Sequence, residues 1–464
     1  MLIRNAQIDG DRNVDIRISA GVIAEVSNGL EGAPGQRVFD ARGSALIPGL
    51  HDHHIHLYAL ASARRGLRCG PLDVANAVAL AEVLKAAQPK AGWIRATGYH
   101  ESVAGELDRD VLDAWVPELY LRMQHRSGQA WFLNSPAIEY LGLDDGLGPA
   151  GVERDGNGRA TGRLFRADQW LAEQLPSVRP DLRDVGLTLA SYGVTGVTDA
   201  SPGNDAADLE AFGAAVDAGA MRQRLFIMGS HALGVSLHPD VTSAAVKLVL
   251  DDRALPAIAS VVDDVRRAHD NGRTVAFHCV TRAEIILALG ALDEAGASSG
   301  DRIEHAGIVG PESLEMISQL GIAVVTQPGF IRERGDAYLK DVDTHDLPDL
   351  YRCKSIDDAA IPLGGSTDAP YSDPDPWLAM QAAVDRRTTS GRSVGESERV
   401  TPERALEMFT TAAQAPGGTP RRIAVGQPAD LCLLDRPWAK VRDALESAAV
   451  ATTWLAGEVA YERD

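Results

Sequence analysis

The chain has 464 residues, more than one hydrophobic core normally serves, which predicts two or three domains or one large barrel with additions. An apolar fraction of 45% and a charged fraction of 24% are ordinary for a soluble globular protein. A formal net charge of −20 without any basic block argues against a nucleic acid or an anionic membrane as partner. A small anionic substrate is not excluded, because a metal site supplies its own positive field.

The first ten residues lack an apolar run long enough for a signal peptide, and no apolar stretch of about 18 residues occurs anywhere. Cys69, Cys279, Cys353 and Cys432 are scattered without zinc-type spacing, which fits a reducing cytoplasm.

In chain order, residues 2–8, 15–19, 22–26 and a piece near 37–39 read as short strands, punctuated by Gly10, Gly21 and the segment 32–35. So few strands bury little area by themselves. The far end offers a complement, since 429–434, 449–455 and 459–462 are also strand-like. The expectation is a composite β-sandwich built from residues 1–49 and 423–464, with residues 50–422 as the large section between them.

That section alternates strands and helices. Strands are predicted at 51–56, 194–199, 224–229, 245–251, 274–279, 301–305, 323–327 and 361–368, with helices such as 206–218, 257–269, 282–295 and 311–320 between them. This is the α/β pattern of a (β/α)8 TIM barrel, whose active site lies at the strand C-terminal ends. Residues from about 60 to 190 form a long insertion between the first two strands. Its predicted strands are 94–98 and 119–124, and its predicted helices 74–87 and 135–141.

Four of the twelve histidines fall in the stretch Pro48-Gly49-Leu50-His51-Asp52-His53-His54-Ile55-His56. Strand alternation places Asp52, His54 and His56 on one face and His51, His53 and Ile55 on the other. Imidazoles two apart on one face can clamp one divalent cation, although a loop cluster satisfied by backbone carbonyls would look the same. The predicted fourth strand alternates Ala245, Lys247 and Val249 with Val246, Leu248 and Leu250. Lys247 therefore points into the barrel, which is costly unless the amine is paired or neutralised. A carbamate formed with CO2 would solve this, and so would an ion pair to Asp251 or Asp199.

His278 and His305 end the fifth and sixth predicted strands, where a packed structural histidine is the simple alternative to a ligand. Asp368 ends the eighth, behind Gly364 and Gly365, where the simple alternative is a turn or cap. Taken together, His54, His56, Lys247, His278, His305 and Asp368 form a nitrogen-rich set. Such a set suits zinc, with iron, manganese or nickel as alternatives.

Pro48-Gly49…Asp52…His54…His56, Val246-Lys247, His278, Ile303-Glu304-His305-Ala306 and Ser366…Asp368, in this order, resemble the amidohydrolase superfamily. The closest resemblance is to its family 3 branch of N-substituted formamide deformylase-like hydrolases. Gly92-Trp93-Ile94-Arg95, Ser127-Gly128-Gln129, Asn134-Ser135, Asp373-Pro374-Asp375-Pro376, Thr401-Pro402-Glu403-Arg404 and Pro428-Ala429-Asp430 support it. The sequence departs from the branch at Gln129, where histidine is common, at His53, and at Asp252, where glycine is common after the aspartate.

The resemblance implies one or two divalent cations per subunit, Zn2+ first among them. His54, His56 and Asp368 would hold the more buried ion and His278 and His305 the more exposed one, with a carboxylated Lys247 bridging both. It also implies hydrolysis of an amide-type C–N bond (N-formyl, N-acyl or cyclic amide) by a metal-activated hydroxide, with Asp368 as general base and then general acid. A mononuclear deaminase using Lys247 as an amine, and a dipeptidase-like hydrolase, are the alternatives. Candidate substrate contacts are Tyr99, His100, Gln129, Trp131 and Arg332, with Arg334 beside it. The segment 328–358 shows no clear pattern and is read as an active-site lid. The expected partner is a small-molecule substrate, and a homodimer is compatible with such a barrel.

Overall fold

The strand Leu50–Ile55 (β1) is buried at every position, as a strand must be when helices cover one face and a packed barrel interior the other. The computed structural model describes residues 1–71, 73–90, 92–175 and 179–463. It divides into two compact units, residues 1–57 with 182–464 and residues 58–181.

In the first unit β1 is followed by Val194–Asp199 (β2), Arg224–Gly229 (β3), Val241–Val249 (β4), Val275–Cys279 (β5), Arg302–His305 (β6), Ala323–Thr326 (β7) and Leu363–Gly365 (β8). All eight lie in one sheet in chain order, and every neighbouring pair is parallel. The sheet closes on itself beyond β8, where Asp368 N donates to His54 O (2.8 Å) and His56 N to Ala369 O (2.9 Å). This is the predicted (β/α)8 barrel. Its helices include Ala206–Asp217, Ile258–Asp270, Arg282–Ala295 and Pro311–Leu320. Asp205 and Thr281 each form a capping box, which ends the preceding loop and starts the helix.

Alternation locates the barrel interior. Ala200, Met228, Ala245 and Ala276 form one buried cluster across β2 to β5. Gly365 faces the other way, where an added Cβ would lie 2.5 Å from the ring of Phe409, so only glycine lets the helix Pro402–Thr410 approach β8.

The termini form the expected sandwich. One four-stranded sheet runs Val22–Ser27, Arg12–Ser19, Leu2–Ile8, Val38–Asp40, and the other runs Glu458–Glu462, Val450–Leu455, Leu431–Leu434, Leu46–Pro48. Their shared core contains Ile3, Ile8, Ile16, Ile23, Leu431 and Trp454. Trp454 is fully buried, with Phe39 edge-on at 5.4 Å. Neither end could bury these side chains alone, which is why both are needed.

The second unit is built on a six-stranded sheet in which Trp93–Tyr99 pairs parallel with Tyr120–His125. Ile94, Ala96, Leu121 and Met123 pack on one face, and Trp131, Leu133, Leu164 and Leu171 belong to a second core.

The segment 328–358 differs from its expected lack of pattern, since it holds the helices Gly329–Asp341 and Lys354–Asp358. Two glycines and six charged residues in Gly329–Asp341 blur its apolar stripe. Packing supplies what periodicity lacks: Phe330, Ile331 and Gly335 are buried, and a Cβ on Gly335 would lie 2.6 Å from Thr388. Among the described residues, no helix is long and apolar enough to cross a membrane.

Candidate metal centre

The histidine-rich strand does not alternate as expected. Asp52 and Ile55 of β1 stand opposite Val197 and Asp199 of β2, so three steps on one strand match two on the other. A β-bulge therefore occupies 53–54 and resets which way the following side chains point. His51 packs on Phe226 (5.7 Å between ring centres) and bonds Thr198 Oγ1 (2.9 Å), both on the interior face shared with Ala200 and Met228. Gly196 makes room for it, since a Cβ there would lie 2.5 Å from His51 Nδ1. His53 lies 4.6 Å from His51 and bonds Thr411 Oγ1 (2.8 Å). Outward packing, as alternation predicts for His51 and His53, is thus corrected: both fill the lower interior of the barrel. Asp52 instead accepts from Thr367 Oγ1 (2.5 Å) and Thr367 N (3.1 Å).

Beyond the bulge, His54 and His56 reach the C-terminal mouth. Their Nε2 atoms lie 3.4 and 3.2 Å from Asp368 Oδ1, and these three residues could share one cation. The ring of His305 is 4.8 Å from His54 and 4.3 Å from His278, so four imidazoles from β1, β5 and β6 converge on Asp368. Alternation along β6 gives the inward places to Arg302 and Glu304, in register with Ala276 and His278. His305 escapes that pattern because its φ is +68°. Asp368 also adopts a left-handed conformation, φ +60°. Such non-glycine outliers are uncommon and need support from their surroundings. The barrel-closing hydrogen bonds at Asp368 and Ala369 provide it here.

The outer nitrogens of His54, His56 and His305 are held by neighbours. His54 Nδ1 bonds Glu304 Oε2, His56 Nδ1 bonds Ser201 Oγ (3.0 Å), and His305 Nδ1 bonds Gln327 Oε1 (2.8 Å). Gln327 Nε2 in turn donates to Ser366 Oγ (2.9 Å), which fixes its amide oxygen toward His305. For His54 and His305 this leaves the proton on Nδ1 and a lone pair on Nε2, the form in which imidazole binds metal. Burial pushes both rings toward the neutral form, and charged neighbours (Lys247 first for His54, His278 first for His305) push the same way.

Lys247 is buried on β4, and burial lowers its pKa to about 8. Burial works against the charge of Glu304. Arg302, Lys247 and His305 overcome it and hold the carboxyl below its usual range. Arg302 Nε donates to Glu304 Oε1 (2.5 Å) and Arg302 Nη2 to His53 O (3.1 Å), which ties the upper layer of the barrel to the lower one.

Among the described residues, His54 Nε2, Lys247 Nζ and Asp368 Oδ1 are fully buried polar atoms without a hydrogen-bond partner. Such orphans are costly, and three in one place need an explanation. His54 Nε2 and Asp368 Oδ1 would gain a partner from a cation bound among them, and Lys247 Nζ would do so only as the neutral amine or after carboxylation. The residues present therefore fit a divalent metal, and nitrogen-rich ligation favours zinc or a neighbouring transition metal.

The Amidohydrolase family model matches residues 37–461. The chain belongs to the amidohydrolase family. This amidohydrolase is therefore an enzyme of carbon–nitrogen bond hydrolysis. It is 27% identical to an N-substituted formamide deformylase of Arthrobacter pascens over 100% of this chain and 98% of that one. It is 24% identical to the putative amidohydrolase YtcJ of Bacillus subtilis over 98% and 97%. A crystal structure of an uncharacterized metal-dependent hydrolase from Pyrococcus horikoshii superposes with a TM-score of 0.76 at 20% identity, covering 94% of this chain and 97% of that one.

The substrate-contact candidates of this amidohydrolase are distributed differently. Tyr99 is fully buried in a core of the second unit and donates its hydroxyl to Gly105 O (2.5 Å). Trp131 is buried in the other core, with Nε1 donating to Asp168 (2.9 Å). His100 caps the short helix Glu101–Ala104, and the Gln129 backbone bonds Ser127 Oγ and Arg166 N. In the first unit Arg332 pairs with Glu446 (2.9 Å) at the surface. Arg334 donates to Tyr371 O (2.6 Å), and the Tyr371 ring lies 5.4 Å from His56, so this arginine reaches the segment that carries Asp368.

Sequence reasoning passed over Glu304, Gln327, Ser201 and Arg302. The one available signal was parity in Arg302-Ile303-Glu304, which puts two opposite charges on one face of a barrel strand. Gln327 and Ser201 lie just beyond strand ends, where no period applies.

Proposed function

We propose that this amidohydrolase hydrolyses a small non-peptide amide, with N-substituted formamides as the first class to test. We further propose that the reaction occurs at a divalent-cation centre held by His54, His56, Lys247, His278, His305 and Asp368. The observation that carries this reading is the cluster of three partnerless buried atoms among four imidazoles at the barrel mouth. The relationship to a formamide deformylase supports the substrate class.

A cation bound there supplies Lewis-acid polarisation of the carbonyl and a water of lowered pKa. Glu304, Ser201 and Gln327 hold His54, His56 and His305 in their ligand orientations. Lys247, with its pKa near 8, has an uncharged fraction that can react with CO2. Its nitrogen then bonds to carbon and releases a proton, which turns a repelled ammonium into an anionic ligand. Asp368 accepts a proton from the attacking water and returns it to the leaving nitrogen, general base and then general acid.

The test is a screen of metal-assayed protein against N-formyl, N-acyl and cyclic amides, with chelated protein and Asp368→Asn as controls. Release of formate and amine, lost on chelation and in D368N, is expected. Deamination of a ring substrate with one metal per chain would favour the mononuclear alternative instead.

A further inference from the structure

Two neighbouring parallel strands of the unit 58–181 each deliver a histidine at the C-terminal end. Tyr99 and His125 are register partners, and Arg126 N donates to Tyr99 O (2.8 Å), so His100 and His125 leave adjacent strand ends. Both are followed two positions later by serine, in His100-Glu101-Ser102 and His125-Arg126-Ser127. Each Nδ1 meets its own serine hydroxyl, His100 with Ser102 Oγ (2.9 Å) and His125 with Ser127 Oγ (2.7 Å). The same local turn thus fixes both rings, whose centres stand 5.7 Å apart.

With Nδ1 turned toward serine, both Nε2 atoms face one carboxylate oxygen, Glu101 Oε2, at 3.7 Å from His100 and 3.3 Å from His125. The three ligand atoms lie within 4.8 Å of one another. Two ligands bound at about 2.0–2.1 Å on a tetrahedral ion stand about 3.3 Å apart, so both histidine–glutamate spacings already suit one ion. A serine hydroxyl can accept the Nδ1 proton, which leaves each Nε2 lone pair for a metal, and outer-nitrogen support of this kind is what ligand histidines have. The Ser102 and Ser127 amides also point at these Nδ1 atoms, at the longer distances of 3.2 and 3.1 Å, and those are the contacts such a proton gives up. Arg126 Nη2 stands 2.8 Å from His100 Nε2. A guanidinium only donates, so a cationic group already holds the lone pair that a metal would take.

We propose that His100, Glu101 and His125 form a second metal site, which takes zinc or a neighbouring transition metal in exchange for the Arg126 contact. Two imidazoles and one carboxylate suit such ions, whereas magnesium and calcium call for oxygen ligands. None of the three residues belongs to the set at the barrel mouth, and three protein ligands leave a position open to water or a further ligand.

The test is equilibrium dialysis of the full-length protein against micromolar Zn2+, with zinc per chain read by elemental analysis. His100→Asn and His125→Asn keep a side-chain acceptor for the Ser102 and Ser127 amides, as asparagine does at caps and turns, and remove Nε2. Each variant should hold one zinc fewer per chain than the unaltered protein. Equal zinc content in all three, or an additional zinc taken up only at millimolar concentration, overturns the proposal. Arg126→Gln removes the competing cation and should bind the additional zinc more tightly; unchanged or weaker binding refutes the exchange with Arg126. Zinc-edge anomalous diffraction from a crystal of the unaltered protein, equilibrated at the same concentration, locates the ion without a variant. A peak among His100 Nε2, His125 Nε2 and the Glu101 carboxylate is expected, and its absence there refutes the site.

Discussion

Glu304→Gln probes the centre most sharply, because it changes charge and hydrogen-bond polarity while keeping shape. Glu304 is fully buried and accepts twice, from Arg302 Nε at 2.5 Å and from His54 Nδ1. Glutamine has one acceptor and one donor, so only one neighbour can be satisfied. If the amide oxygen faces His54, the buried Arg302 guanidinium meets an N–H and loses a charge-assisted bond worth about 1.5–3 kcal/mol. If the oxygen faces Arg302, the amide N–H faces His54 Nδ1 and drives the ring proton to Nε2. The lone pair aimed at Asp368 is then lost. Loss of such a supporting partner costs about 10–100-fold in metal affinity. E304Q should therefore lose about 2 kcal/mol of stability, or bind metal at least about tenfold more weakly, or show a mixture of the two. Chelator competition on the folded protein measures the affinity, and urea denaturation of the metal-free protein measures the stability. A variant unchanged in both would refute the claim that Glu304 sets the His54 tautomer.

Three further outcomes follow from other parts of the molecule. Lys247→Ala should lower the divalent metal retained after dialysis, read by elemental analysis, and unchanged content would remove Lys247 from the ligand set. Trp454→Ala empties the centre of the sandwich core and should cost about 3–5 kcal/mol in urea denaturation; a loss below about 1 kcal/mol would mean that the core collapses around the gap. Gly417→Ala would place a Cβ 1.9 Å from Leu363 N at a φ of +73°, against the first residue of β8. The cost should be about 3 kcal/mol or more, seen as loss of folded protein on expression; wild-type yield and melting would show that this segment can move away from β8.

Much of the architecture was legible because it is written in local periods. Eight buried runs separated by helical stripes specify a parallel sheet with crossovers, and two groups of short strands too small to bury a core imply that they share one. The sites of His54, His56, Lys247, His278, His305 and Asp368 at strand ends are likewise sequence-level facts. What alternation could not deliver is which way each side chain turns once the period breaks. The bulge at 53–54 sends His53 and His54 both inward, and a left-handed backbone at His305 brings it beside His278 although it follows Glu304 on the strand. Both depend on how two strands fall into register, a relation that neither strand contains by itself.

The residues that hold the imidazoles were hidden for the same reason. Glu304 lies 250 positions from His54, and Gln327 lies 22 from His305. A hydrogen bond between such residues exists only when the barrel closes. The sequence by itself determined the barrel, the composite sandwich and the chemical types gathered at the mouth, because hydrophobic periodicity and residue chemistry are local properties. Only the tertiary structure decided which nitrogen of each ring is free, which buried atoms are left without a partner, and that His100 and His125 face one carboxylate. Those properties arise from contacts between segments far apart in the chain.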